Sequence, residues 1–236
     1  MATERALPRR AVAESVGSAA LVAVVVGSGL HASGLSDDIG VRLLANSLAS
    51  AIGLGLLIAL FAPVSGAHLN PVVTLCVWWT RRRARDGLTG REVVVYIAAQ
   101  LAGAVAGALL AEAMFGRAPG SWSTQVRSDG HLLLGETVAT AGLVLLIQGL
   151  DRIGRASLTP VAVAAYIGAA IWFTSSGSFA NPAATVGRSL TDSFTGIAPA
   201  SLPGFIAAQL VGGLVGAGLA NLLYGRRPPG AEPAAG

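Results

Sequence analysis

Ser65-Gly66-Ala67-His68-Leu69-Asn70-Pro71-Val72-Val73-Thr74 and Ser176-Gly177-Ser178-Phe179-Ala180-Asn181-Pro182-Ala183-Ala184-Thr185 share one pattern, S-G-x-x-x-N-P-x-x-T. One Asn-Pro marks an ordinary turn into a helix, with asparagine as N-cap and proline at the first helical position. Two copies in one apolar chain say more. Each is followed by about ten residues before polar punctuation, which predicts helices of roughly 15 Å, about half of a ~30 Å hydrocarbon core. The two together would span one bilayer.

The rest of the chain is an apolar setting for these motifs. Of 236 residues, 53% are hydrophobic and 12% charged, too few polar groups to cover a soluble globule. Apolar runs at 11–30, 43–62, 93–115, 132–150, 158–173 and 202–224 each approach the ~17 to 25 residues of a spanning helix. Glu14 inside the first run argues against a cleaved leader. The expected fold class is therefore an all-α membrane protein with six transmembrane helices and two re-entrant half-helices. It forms one channel-like domain, with disordered tails at 1–8 and 227–236.

The halves repeat. Tyr96-Ile-Ala-Ala-Gln100-Leu returns as Phe205-Ile-Ala-Ala-Gln209-Leu after 109 positions, the Asn-Pro motifs lie 111 apart, and Glu14-Ser-Val matches Glu136-Thr-Val after 122. Three full spans per repeat is an odd number, so the second copy (132–226) enters the membrane from the face opposite to the first (11–117). The half-helices then meet near the midplane. All sixteen basic residues are arginines, and twelve of them fall on one side if the N-terminus is inside. This predicts cytoplasmic termini in a plasma (inner) membrane. The remaining four are Arg42, Arg117, Arg127 and Arg188.

Irregular backbone at membrane depth is tolerated where it is buried in protein or lines a water-filled path. At each N-cap the asparagine oxygen can accept from its own half-helix, which would direct the amide NH2 at the lumen. Two such donors, from Asn70 and Asn181, would grip one passing oxygen, while the converging positive helix ends repel protons and cations. Glu14 and Glu136 are either proton relays or acceptors for the N–H groups of the re-entrant loops. His68 is either a pH-dependent gate or a residue that holds its loop. Gln100 and Gln209 read as interhelical hydrogen-bonding residues. The pairs Gly103 with Gly107 and Gly212 with Gly216 allow close helix crossings.

Several classes drop out. One cysteine, Cys76, and histidines without ligand spacing indicate no metal or redox chemistry. No cofactor is implied, no catalytic constellation suggests an enzyme, and arginines confined to short loops do not suggest nucleic acid. Inverted repeats with broken helices also build secondary transporters. Coupling would have to use Glu14 and Glu136.

The paired motifs, the Gly66-Ala-His-Leu-Asn-Pro71 string and the two glutamates resemble the aquaporin and aquaglyceroporin (major intrinsic protein) family. The resemblance implies a homotetramer in membrane lipid with one pore per subunit, passing water and small neutral solutes. Most of that family carries an arginine three residues after the second asparagine, and here that place is Ala184. By spacing, the other three constriction positions fall on Ser50, Ala169 and Ser178, so all four are small and a wide filter is expected. The stretch 176–197 is similar to a bacterial subgroup associated with arsenic resistance, which implies arsenite (arsenous acid) and glycerol as solutes. The alternative is a water-selective channel. Arg188, one turn beyond Ala184, either lines the outer mouth or snorkels to the interface.

Overall fold

The computed structural model describes residues 6–81 and 87–225. Eight α-helices follow in order: α1 Leu7–Leu35, α2 Ile39–Ser65, α3 Pro71–Arg81, α4 Gly90–Met114, α5 Gly130–Arg152, α6 Thr159–Phe173, α7 Pro182–Arg188 and α8 Leu202–Tyr224. Six of them, α6 counted with the 3-10 turn Ala156–Leu158 that leads into it, are long and apolar enough to cross a membrane. With six crossings the start of α1 and the end of α8 lie on one face, here called the terminal face. The predicted tail 1–8 is corrected at its end, because α1 already begins at Leu7 with Pro8 in its first turn. Tail 227–236 and Arg5, Arg82, Arg83, Arg85, Arg226 and Arg227 lie outside the described residues.

Helix ends are set locally. Asp38 caps α2 by accepting from Val41 N at 3.0 Å, and Thr89 with Glu92 forms a reciprocal capping box at α4. The half-helices differ from the expected equal pair. α3 has 11 residues but α7 only 7, about 10 Å at 1.5 Å per residue. After Arg188 the sequence Ser-Leu-Thr-Asp offers side chains that compete for backbone groups, and the chain closes with tight turns, Ser189 N to Val186 O and Leu190 N to Gly187 O, both 3.1 Å. The loop that follows is tied back by Ile197 N to Arg188 O and by Ala198 N to Gln125 O at 2.7 Å. Thr191 donates to the buried Glu112, which also accepts from Arg117 at 2.7 Å. Thr124 donates to Asp192 through both its N–H and its hydroxyl, and these bonds hold the Asp192 carboxyl below the usual carboxylate range.

The two halves pack by the same device. A Cβ on Gly103 would sit 2.1 Å from the carbonyl oxygen of Ser15, and one on Gly107 2.1 Å from that of Ala19. In the second half Gly212 and Gly216 approach the carbonyls of Thr137 and Ala141 at 2.5 and 2.3 Å. Only hydrogen fits, so α1 lies directly on α4 and α5 on α8. Because the obstacle is backbone, Gly107→Ala is expected to destabilise by about 3 kcal/mol. The melting temperature of the detergent-solubilised protein checks this, and an unchanged value would show that the helices can part at no cost.

Candidate functional site: a cavity through the bundle

Each motif position has a local task. Ser65 Oγ accepts from Ala67 N at 3.1 Å, and Ser176 Oγ from Ser178 N at 3.1 Å. Gly66 (φ +91°) and Gly177 (φ +74°) start a left-handed stretch that continues at Ala67 and Leu69, and at Ser178 and Ala180, with φ of 47–49°. Four non-glycine residues in that region are costly and persist only where the surroundings fix them. The surroundings here are two carboxylates. Glu14 accepts from Ser65 Oγ (2.6 Å), His68 N (2.9 Å), Leu69 N (2.6 Å) and Gln100 Nε2 (2.7 Å). Glu136 accepts from Phe179 N (2.8 Å), Ala180 N (2.9 Å) and Gln209 Nε2 (2.7 Å). Gln100 and Gln209 pass their second N–H to Thr74 and Thr185, each at 2.9 Å, and each threonine donates to the carbonyl of its asparagine. The repeated spacing of Ser, Gly, Asn and Thr is thus one hydrogen-bonded unit built twice.

The middle residue of each loop differs. The His68 ring meets Tyr96 edge-on at 5.4 Å and approaches Thr74 Oγ1 at 3.1 Å, while Phe179 meets Phe205, the counterpart of Tyr96, at 5.2 Å. Arg188 Cζ lies 3.2 Å above the Phe179 ring, and its Nε donates to Thr195 O at 2.6 Å. Arg127 Cζ is 5.3 Å from the same ring. Two guanidinium groups therefore pack against one aromatic ring.

The loops meet through their asparagines in a way the sequence did not suggest. Asn70 Oδ1 accepts from Val72 N, and Asn181 Oδ1 from Ala183 N and Ala184 N. The NH2 groups are not both free for the lumen, as the capping argument had it. Asn70 Nδ2 donates to Ala180 O at 2.7 Å and Asn181 Nδ2 to Leu69 O at 2.8 Å. Each asparagine so bonds the opposite loop and retains one N–H.

A cavity of about 490 Å³ passes this junction. Asn46, Ser50, Ser178, Ala184 and Arg188 line it on one side of the pair, and Thr80, Gln148, Asp151, Ser157 and Thr159 on the other. Asn70, Asn181 and His68 border it between them, and much of the remaining wall is apolar, with Leu21, Leu54, Ile58, Leu143, Val163, Ile167 and Ile171. One loop from each half, 66–69 and 177–180, runs along it. Of the four positions expected at the constriction, Ser50, Ser178 and Ala184 line the cavity. Ala169 does not. It is exposed on α6, and the cavity is lined by Ile167 and Ile171 instead. Counting back from Asn181 assumes a fixed loop between helix and motif, and an error of two residues turns a helix by about 200°. The expectation that every lining residue at this level is small is corrected with it. Ser50 Oγ and Ser178 Oγ are themselves buried and have no protein partner.

Six spans enclosing a cavity, with two half-helices joined at their N-termini, define the architecture of a membrane channel. The sequence model of the major intrinsic protein family matches residues 1–175, and the chain belongs to that family. The matched stretch ends just before the second motif, whose equivalence to the first rests on the paired geometry above. The chain is 44% identical over 223 residues to aquaglyceroporin AqpS of Rhizobium meliloti (strain 1021), covering 94% of this chain and 93% of that one. It is 33% identical over 188 residues to the probable aquaporin AqpM of Archaeoglobus fulgidus, covering 75% and 73%. The X-ray structure of the aquaglyceroporin from Plasmodium falciparum has the same fold, with a TM-score of 0.64 at 22% identity over 94% of this chain and 96% of that one.

Proposed function

We propose that this integral membrane protein is a passive channel for water and small uncharged solutes such as glycerol or arsenous acid, excluding protons and ions. The observation that carries the reading is the cavity crossing the junction of two half-helix N-termini, where Asn70 and Asn181 each retain one N–H. Two fixed donors can hold one oxygen with its lone pairs occupied, and the positive helix ends oppose cations. Similarity to an aquaglyceroporin over nearly the whole chain supports solutes of glycerol size. A water-selective reading draws on Arg188, which lines the cavity beside Ile171.

A proton-coupled transporter would have to build its coupling site on Glu14 and Glu136, yet both are fully buried acceptors that hold the loops in place. The halves 11–117 and 132–226 act as inverted copies within one domain. Arg9, Arg10, Arg91, Arg152 and Arg155 fall at the terminal face, which supports cytoplasmic termini in an inner membrane. Exposed apolar residues such as Ile52, Leu56, Leu60, Leu214 and Leu222 face lipid or neighbouring copies of a homotetramer.

Stopped-flow swelling of proteoliposomes under water, glycerol and arsenite gradients tests the function. Downhill conduction of water and at least one solute without an ion or proton gradient is the expected result. Solute accumulation driven by an imposed pH step would refute it. Asn181→Asp replaces the donor to Leu69 O by an oxygen that repels that carbonyl, so solute flux should fall about tenfold or more. Unchanged flux in a well-folded Asn181→Asp protein would return the motif to a capping role.

A further inference from the structure

Two side chains at the end of the cavity away from the terminal face keep hydrogen-bonding atoms that no protein atom claims and that are not sealed off. Asn46 of α2 donates through Nδ2 to Val25 O at 2.8 Å and to Ser28 Oγ at 2.9 Å. Both of its N–H groups are thereby spent, and because a backbone carbonyl can only accept, the amide is fixed with Oδ1 as its free end. Asn46 is 6% exposed and lines the cavity, and its Oδ1 makes no hydrogen bond to protein yet stays accessible, unlike Ser50 Oγ and Ser178 Oγ. Arg188 presents the complementary group. Its Nε is bound to Thr195 O and its Cζ lies over Phe179, which leaves Nη1 and Nη2 without a protein acceptor and likewise accessible at the cavity wall. Among the described residues no carboxylate pairs with it.

One turn of α1 brings these two groups to the same level. Val25, Ser28 and Gly29 lie on one face of that helix. Asn46 bonds the first two, and Thr195, whose carbonyl holds Arg188, packs on the third, where a Cβ would come 2.3 Å from Thr195 Cγ2. Asn46 stands one turn outside Ser50 on α2, and Arg188 one turn outside Ala184 on α7, each roughly 6 Å farther from the asparagine junction. We propose that Asn46 is a specificity-determining residue, which pairs with Arg188 as a two-point site for neutral polyhydroxylated solutes one helical turn beyond the positions expected at the constriction. One solute O–H donates to Asn46 Oδ1, and a neighbouring solute oxygen accepts from Arg188 Nη1 or Nη2. Glycerol and arsenous acid share the required chemistry, since both carry several hydroxyls and no charge. The pair selects by kind as well as by size. A cation meets the guanidinium groups of Arg188 and Arg127, and an anion without an O–H sets its lone pairs against Oδ1.

This inference rests on the channel reading above. Full-length protein is reconstituted, and influx of water, glycerol and arsenous acid is measured over a range of solute concentrations. The main variant is Asn46→Leu, which nearly keeps the volume and removes the acceptor. Its glycerol half-saturating concentration should rise about tenfold, and its glycerol-to-water permeability ratio should fall. Asn46→Ala removes the same acceptor while widening the opening, so a raised half-saturating concentration there separates the contact from pore width. Arg188→Ala should raise the half-saturating concentration as well, although its wider opening increases glycerol flux relative to water. Arsenous acid should shift with glycerol, and a curve for it that stays in place overturns the site for that solute. Size-exclusion profile and melting temperature establish that each variant is folded. A glycerol half-saturating concentration equal to wild type in any folded variant of the three overturns the two-point site while leaving the channel intact. Wild-type vesicles that pass water but no glycerol or arsenous acid overturn the site and the solute class together. Vesicles that pass none of the three overturn the channel itself.

Discussion

Glu136→Ala is expected to prevent the second half of the channel from holding its structure. The substitution orphans the N–H groups of Phe179 and Ala180 and one N–H of Gln209, all buried. Leaving a buried donor unsatisfied costs about 1–3 kcal/mol, so three cost on the order of 5 kcal/mol. That is comparable to the whole ~5–15 kcal/mol stability of a typical domain. The loss falls on a loop already held at left-handed φ at Ser178 and Ala180, which has no helix or sheet ladder to fall back on. Glu136→Gln retains one acceptor oxygen but turns an NH2 toward a donor, so it should sit between wild type and alanine. Glu14→Ala should be at least as severe, since four donors converge on that carboxylate. Melting temperature and the monodisperse fraction in detergent measure all three. A Glu136→Ala protein that melts with wild type would show that the loop does not depend on the carboxylate. It would also reopen a proton-carrying role for it.

The second large effect is expected at Ala184. Its side chain borders the cavity, while its helix packs on Val22, Ala104 and Ala108 of α1 and α4. Ala184→Arg would add a guanidinium with five donors and a fixed charge one turn before Arg188, whose own guanidinium is clamped over Phe179 and to Thr195 O. Two cations and two bulky side chains would then share the end of the cavity that Ser50 and Ser178 border. Glycerol and arsenite flux should fall roughly tenfold relative to water, because pore width, lining donors and the electrostatic barrier all change against the larger solute. Arg188→Ala is the opposite case. It removes the one guanidinium among the cavity-lining residues and should raise the glycerol-to-water ratio by about threefold or more. Equal ratios in wild type, Ala184→Arg and Arg188→Ala would remove the filter from this end of the cavity and leave discrimination to the asparagine junction.

Much of this arrangement is legible in the chain itself. Apolar runs of spanning length fix six helices because a bilayer admits no unpaired backbone, and their boundaries moved by only a few residues in the structure. The repeated Ser-Gly-x-x-x-Asn-Pro-x-x-Thr string fixes two re-entrant turns. Its glycine permits positive φ, its serine accepts from the backbone two residues on, and its threonine ties the asparagine carbonyl. The offset of Glu14 and Gln100 from their counterparts Glu136 and Gln209 points to a shared task, since buried carboxylates need several donors.

Contacts between segments distant in sequence were decided only in the tertiary structure. The crossed bonds from Asn70 to Ala180 and from Asn181 to Leu69 link residues more than a hundred positions apart, and no local pattern encodes which donor faces the lumen. Ile167 and Ile171, rather than Ala169, face the cavity because a helix turns 100° per residue, so a short change in the loop before Asn181 moves the lining face. α7 stops after seven residues because Ser189, Thr191 and Asp192 find partners in the loop beyond it and at the end of α4.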